Sequence, residues 1–325
     1  MKKIFSTIIL VGILLSLVTT EADAQRWSKR RRYYSLGVNV AAMNYFGDIV
    51  PQADFTSLRL RSTRPSLGLT YEYKMYPRVS FRGSLAWGRI TGDDQKSASQ
   101  NEAENLPRFK RNLNFRNDIK ELSGAIVIDL FENRGTYTRR PDFAPYGFIG
   151  VGLIHHNPKT YYGGGAILPN GQEMAAGYYE LQPLGTEGQY SNGSGYPEPY
   201  RKLEFVIPFG IGFRYKLDRQ WDLGFEIGWR KTFTDYLDDV STNYASKADL
   251  LQSDPSGRAA ILSDRSSESG YPSQPDPSGT PYAHVPGYGV KGDQRGDATD
   301  KDWYITTGIS LNYIIPVRTR GPKFR

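Results

Sequence analysis

The sequence predicts an all-β chain: a transmembrane, antiparallel, eight-stranded outer-membrane β-barrel with long loops on one side. Three observations predict it. Apolar residues alternate with period two in eight segments, the opposite parity carries glycine and scattered charge, and the connections between segments alternate long and short. Composition agrees, since the 325 residues include 23 Tyr, 15 Phe, 34 Gly and 20 Pro, a balance of strands and turns. The absence of Cys excludes a disulfide framework, thiol catalysis, a Cys-ligated metal and a lipid-modified N-terminal Cys.

Residues 1–24 read as a secretory signal peptide. Lys2 and Lys3 form its basic start, Ile4 to Val18 its apolar run, and Ala22-Asp23-Ala24 the small residues that favour cleavage before Gln25. The apolar run, about 15 residues, falls short of the roughly 20 that a spanning helix needs. Residues 25–325 are then one barrel domain, exported to the outer membrane of a Gram-negative bacterium. The formal charge of +7, from 41 basic and 34 acidic residues, does not in that place point to nucleic acid.

The strands follow in order. Leu36-Val38-Val40 marks the first, Leu67-Leu69-Tyr71-Tyr73 the second, and Val79-Phe81-Leu85-Trp87 the third. Leu122-Ile126-Ile128-Leu130 and Ile149-Val151-Leu153 mark the fourth and fifth. The sixth alternates Phe205, Ile207, Phe209, Ile211, Phe213 and Tyr215 with Val206, Pro208, Gly210, Gly212 and Arg214. In the seventh, Trp221, Leu223, Phe225, Ile227 and Trp229 oppose Asp222, Gly224, Glu226, Gly228 and Arg230. The eighth runs from Trp303 to Ile315. A soluble sandwich also alternates, but its outer parity is usually Lys, Thr, Ser and Glu. Glycine with isolated charges suits a crowded lumen, and Trp and Tyr near strand ends suit interfacial girdles.

Long connections are expected at about 45–64, 91–112, 157–203 and 234–302, with short turns at 74–78 and 217–220 and a longer one at 131–142. Eight strands leave an interior just wide enough for side chains to fill, so a porin is not expected. Glu72, Arg82, Glu121, Arg214, Glu226 and Arg230 are the expected lumen charge network, three of each sign forming a satisfied plug.

Other clusters carry weaker expectations. His155-His156 lacks an accompanying G-x-S-x-G or H-E-x-x-H string and reads as packing rather than catalysis. Asp93, Asp94, Asp235, Asp238 and Asp239 could converge as a Ca²⁺ site, but solvated acids, or charges starting a helix around Tyr244–Leu251, fit better. No catalytic, cofactor-binding or metal residue is therefore assigned, and no cofactor is expected. Asp-Pro-Ser-Gly at 254–257 and 276–279 signals type I turns, and 270–292 reads as an irregular surface loop. Two basic ends, Arg26–Arg32 and Arg318–Arg325, fall together on the periplasmic side of an even-stranded barrel. Arg26, Arg30, Arg31, Arg32, Arg318, Arg320, Lys323 and Arg325 could bind anionic headgroups or form bidentate pairs with an acidic partner.

Several strings add a family likeness. They are NYFGD at 44–48, TRPSLGLTYEYK at 63–74, GRITGDD at 88–94, RNLNFRNDIKELS at 111–123, FAPYGFIGVGL at 143–153, TDYLDDVS at 234–241, LSDRS at 262–266 and DWY at 302–304. In their order and spacing the chain resembles the Bacteroidota outer-membrane barrels that include PorG of type IX secretion. That resemblance implies a non-enzymatic barrel, with periplasmic ring-type secretion subunits, one a lipoprotein, as partners beside outer-membrane lipid. One departure is that the sequence continues past its final strand through Val317 to Arg325. Three functions follow as expectations. The first is a barrel that anchors or organises a periplasmic secretion complex. The second is a stand-alone surface barrel whose long loops bind glycan, lipopolysaccharide or protein. The third, a minority reading, is a barrel enzyme using His155 or His156.

Overall fold

The computed structural model describes residues 31–50, 62–98 and 105–316. The expected leader, with its expected cleavage site, lies outside them. Eight strands close into one antiparallel barrel. They are β1 (Tyr33–Phe46), β2 (Arg64–Lys74), β3 (Val79–Asp93), β4 (Asn114–Asp129), β5 (Phe143–His155), β8 (Leu203–Lys216), β9 (Trp221–Thr232) and β10 (Trp303–Ile315). Each pairs with its neighbour in the chain, and β1 pairs with β10 to complete the ring. Closure leaves no barrel edge, so every strand finds backbone partners on both sides. The short strands β6 (Lys159–Tyr162) and β7 (Gly177–Glu180) form a hairpin hung on the outer end of β4 through the Arg116–Lys159 pair.

The alternation dictates which way each residue faces. Leu36, Val38 and Val40 on β1, Leu67 and Leu69 on β2, and Phe205, Phe209 and Ile211 on β8 are all exposed on the outer face. The other parity points inward and is crowded. A Cβ on Gly37 would run into the Asn312 and Thr70 side chains, which is why that inward position carries none. Aromatic rings collect at both ends of the outer face. Tyr34 stacks on Tyr73 at 4.6 Å near the short turns, and Phe46 stacks on Trp303 at 4.3 Å near the long loops.

The long loops fold into a cap. Among the described residues, four short helices belong to it: α1 (Asp94–Ser97), α2 (Leu106–Arg111), α3 (Lys247–Ser253) and α4 (Arg258–Ser263). The segment 270–292, expected to be an irregular surface loop, bridges to itself at Gln274–His284 and seats Val285 in the interior. Both Asp-Pro-Ser-Gly tetrads close as turns, with Gly257 donating to the Asp254 carbonyl at 3.0 Å and Gly279 to that of Asp276 at 3.0 Å. Both glycines sit at φ 80°, a left-handed backbone that a side chain would strain.

Candidate functional site

Three layers fill the molecule from the short-turn end to the cap. The first is ionic. Arg82 on β3 donates to Glu72 on β2 at 3.2 Å and to Glu226 on β9 at 2.5 Å. Arg214 on β8 bridges Glu72 to Asp129 on β4, and Lys74 also pairs with Asp129. Arg230 and Glu121 form a separate pair at 3.4 Å, joined by the Tyr304 hydroxyl, which donates to Glu121 at 3.0 Å. All six lumen charges expected from sequence lie here, but in two groups rather than one. Lys74 and Asp129 are additions, as is the buried Arg140–Asp222 pair at 2.6 Å. Lys74 shares the parity of Glu72, and Asp129 that of Glu121, so the alternation did point inward. Their places at strand ends made them look like turn residues. A cavity of about 90 Å³ lies among these groups, room for a few water molecules.

The second layer is apolar. Met43, Tyr45, Ile90, Ile119, Ile154, Val206 and Tyr304 point inward from the outer halves of the strands. Ile49, Val50, Leu113, Leu237 and Val240 press on them from the loops. Tyr45 meets Phe115 edge-on at 4.8 Å. This plug lies between the charged lumen and the cap, so apolar side chains fill much of the barrel's outer half.

The third layer is a set of buried charges that ties the loops together. Arg111 donates to both Asp94 oxygens at 2.8 and 2.9 Å, to the Asp48 carbonyl at 2.9 Å and to the Arg295 carbonyl at 2.6 Å. One guanidinium thus joins the β1–β2, β3–β4 and β9–β10 connections. Arg295 donates to Glu187 at 2.8 Å, to the Ser263 carbonyl at 3.2 Å and to the Asp239 carbonyl. Glu187, from the β7–β8 connection, accepts from the Ser241 and Thr242 amides at 2.9 and 3.2 Å. Asp239 is held at φ 69° while Tyr200 and Thr186 donate to its carboxylate at 2.6 and 2.5 Å. These contacts hold a backbone that aspartate seldom adopts. Lys247 pairs with Asp264 at 2.8 Å, both fully buried.

This arrangement corrects one reading of the acids. Asp235, Asp238 and Asp239 are buried rather than solvated, because the cap closes over them. Asp93 and Asp94 do not join them. Asp93 caps α1 by accepting from the Lys96 amide at 3.1 Å, and Asp94 is committed to Arg111. Burial raises Asp235 from 3.8 to about 7, and raises Asp48 and Asp239 to about 6 against the lowering pull of Arg111 and Arg295. Asp238 and Asp302 are also held well above the usual carboxylate range, by burial and then by neighbouring carboxylates. The native cap therefore holds protons that opened loops would release. The contribution of these carboxylates to its stability falls as pH rises from about 4 through about 7. Thermal loss of the near-UV dichroism of the cap is expected at a higher temperature at pH 5 than at pH 8, and the reverse order would refute this account.

The remaining expected positions separate. His155 ends β5 on the outer face. His156 turns inward, fully buried and stacked on Tyr200 at 6.0 Å, and burial pulls its pKa down to about 4, which favours its neutral form. Arg31 and Arg32 sit at the short-turn end, where Arg32 reaches the Tyr73 hydroxyl at 3.5 Å. Arg26, Arg30, Arg318, Arg320, Lys323 and Arg325 lie outside the described residues.

Among solved structures, the chain is similar to Ail, the attachment invasion locus protein of Yersinia pestis, at 9% identity and TM-score 0.36, covering 88% of this chain and 99% of that one. It is similar to OprG of Pseudomonas aeruginosa at 9% and 0.36, covering 90% and 99%, and to Neisserial surface protein A at 8% and 0.33, covering 86% and 96%. Likeness at this level bears on no function, and the barrel rests on its own strand pairings. No curated protein matches the chain. The family model described as a domain of unknown function, DUF6089, matches residues 3–168, half of the sequence, and the chain belongs to that family.

Proposed function

We propose that this protein is a non-enzymatic outer-membrane barrel that anchors or organises a periplasmic secretion complex, as its resemblance to PorG of type IX secretion in Bacteroidota implies. The exposed apolar band between two aromatic girdles supports the membrane placement, since water would penalise it and lipid would not. Short turns belong in the periplasm and long loops outside. Among the described residues His156 is buried and inward apolar side chains crowd the outer lumen, which supports the non-enzymatic reading.

The observation that carries the periplasmic role is where the chain enters and leaves. Tyr33 pairs with Lys74 and Tyr34 with Ile315, so both ends emerge at the short-turn rim. There Arg31, Arg32, Arg78, Arg134, Arg139, Lys216 and Arg219 outnumber Glu132, Asp142 and Asp218. The flanking segments add Arg26, Arg30, Arg318, Arg320, Lys323 and Arg325. A basic rim with two basic strands of chain suits an acidic periplasmic partner, because arginine forms bidentate pairs with carboxylates.

A mild-detergent pull-down from native membranes, with cross-linking and mass spectrometry, tests this. Periplasmic ring-type subunits should cross-link near the two basic segments. Truncating 318–325 or neutralising the arginines of 26–32 should reduce their recovery several-fold while the barrel still inserts. The cap favours a second reading, because four connections build one packed surface with Tyr178, Tyr190 and Ile167 exposed on it. Partners recovered only through cap cross-links would replace the first reading with that one.

A further inference from the structure

The outer rim of the lipid-facing surface is not uniform. On the side of β8, β9, β10 and β1, register aligns Ile207, Lys231, Trp303 and Phe46 in one row. Lys231 is the single cation of that row. The opposite side differs. Across β3, β4, β5 and β8, register aligns Trp87, Lys120, His155 and Leu203. The next row outward holds Arg89 and Asp118, paired at 2.5 Å. The row beyond holds Thr91, Arg116, Lys159 and Glu180. Lys159 and Lys202 share Glu180, at 2.9 and 3.8 Å. Among the described residues, the carboxylates that pair with Arg89, Arg116, Lys120, Lys159 or Lys202 are Asp118 and Glu180.

Same-face rows lie about 7 Å apart along a strand, so these cations form a band above the membrane belt. Lys120 is exposed, and among the described residues no carboxylate lies within ion-pairing distance of it. The Arg116 guanidinium lies 3.9 Å from the centroid of the Tyr178 ring. Just beneath Lys120 the row Leu85, Leu122, Leu153 and Phe205 begins the belt. A shallow apolar depression lies there, lined by Leu67, Leu69, Leu85, Trp87, Leu122 and Leu153. Lysine and arginine near any interface can extend their charge toward water, but that habit would spread cations around the whole rim. Here five gather on the β3–β4–β5 side, against Lys231 and Lys301 at the β9–β10 rim.

We propose that the β3–β4–β5 face docks a phosphorylated glycolipid of the outer leaflet, with phosphates against Lys120, Arg116 and Lys202 and acyl chains in the depression below. Phosphate supplies the anionic oxygens that the surplus cations lack, and the acyl chains explain why the cations stand directly over an apolar depression. The inference rests on the outer-membrane placement.

Native mass spectrometry of the full chain in detergent, titrated with bisphosphorylated lipid A, tests it. The wild type should retain the lipid and bind its dephosphorylated form at least tenfold more weakly. A Lys120→Gln, Lys202→Gln variant should lose affinity by tenfold or more, and Lys231→Gln on the opposite face should keep it. Heat-modifiable gel migration reports folding of each variant. Equal binding of the dephosphorylated lipid to the wild type overturns the proposal even if the double variant fails to fold. Equal loss in Lys231→Gln, or displacement by inorganic phosphate at matched concentration, also overturns it. A chain absent from the membrane fraction would instead refute the membrane placement itself.

Discussion

Replacing Arg295 by methionine should open the cap while leaving the barrel closed. The side chain is almost fully buried and serves Glu187, the Ser263 carbonyl and both the carbonyl and carboxylate of Asp239. Methionine fills similar volume but donates nothing, which strands two buried carboxylates. Breaking a buried ion pair in this way typically costs about 3–5 kcal/mol, more than replacing both partners together. The loss falls on the contact between the β7–β8 and β9–β10 connections, because Glu187 also holds the Ser241 and Thr242 amides. Limited proteolysis should cut the loops of the variant at least tenfold faster than those of the wild type, with heat-modifiable migration of the barrel unchanged. Arg295→Lys should recover part of the protection, since an ammonium cannot reach four acceptors with the fork geometry of a guanidinium. Adding Glu187→Gln to the methionine variant should also recover part, by removing one of the stranded charges. Loops that resist protease equally in wild type and variant would show that apolar packing around Leu237 and Val240 holds the cap without the charges.

The barrel was legible in the sequence for a physical reason that does not extend to the cap. A strand with lipid on one face and lumen on the other must alternate, so Trp221 to Arg230 announces both its conformation and its orientation. The same parity identified Glu72, Arg82, Glu121, Arg214, Glu226 and Arg230 as inward. It could not say which charges meet, because Glu226 and Arg82 stand 144 positions apart and are joined only by the curvature of the closed sheet. The cap has no such period. Asp235, Asp238 and Asp239 look like solvent-facing acids in a loop, and nothing near them in sequence reveals that Arg295 and Glu187 will fold over them. Their covering becomes visible only when four connections rise from one rim and must pack against each other. The helix expected around Tyr244–Leu251 shows the intermediate case. It forms as α3, Lys247–Ser253, shifted by a few residues because Ser246 stays extended at its N-cap.

The lumen offers the second large effect, and it separates two roles that charged and apolar layers could share. Glu226, Arg82, Glu72, Arg214, Asp129 and Lys74 form one chain of alternating sign that starts on β9, crosses to β4 at Asp129 and ends on β2. Arg82→Met removes its second link, leaving Glu226 with the Tyr146 hydroxyl at 3.0 Å and Glu72 with Arg214 alone. The Arg82 guanidinium also lies 5.2 and 5.5 Å from the Tyr146 and Phe148 ring centroids, contacts that methionine keeps only in part. A loss of about 3–5 kcal/mol is expected, lowered where cavity water can solvate the freed Glu226. The temperature at which the barrel loses its folded gel mobility should drop measurably below that of the wild type. Conductance in planar bilayers should stay absent in both, because Met43, Ile119 and Tyr304 still close the lumen above the network. A variant that conducts ions would mean that the charge chain is itself the seal. A variant of unchanged thermal stability would mean that the outer apolar belt and closed hydrogen bonding hold the barrel without it.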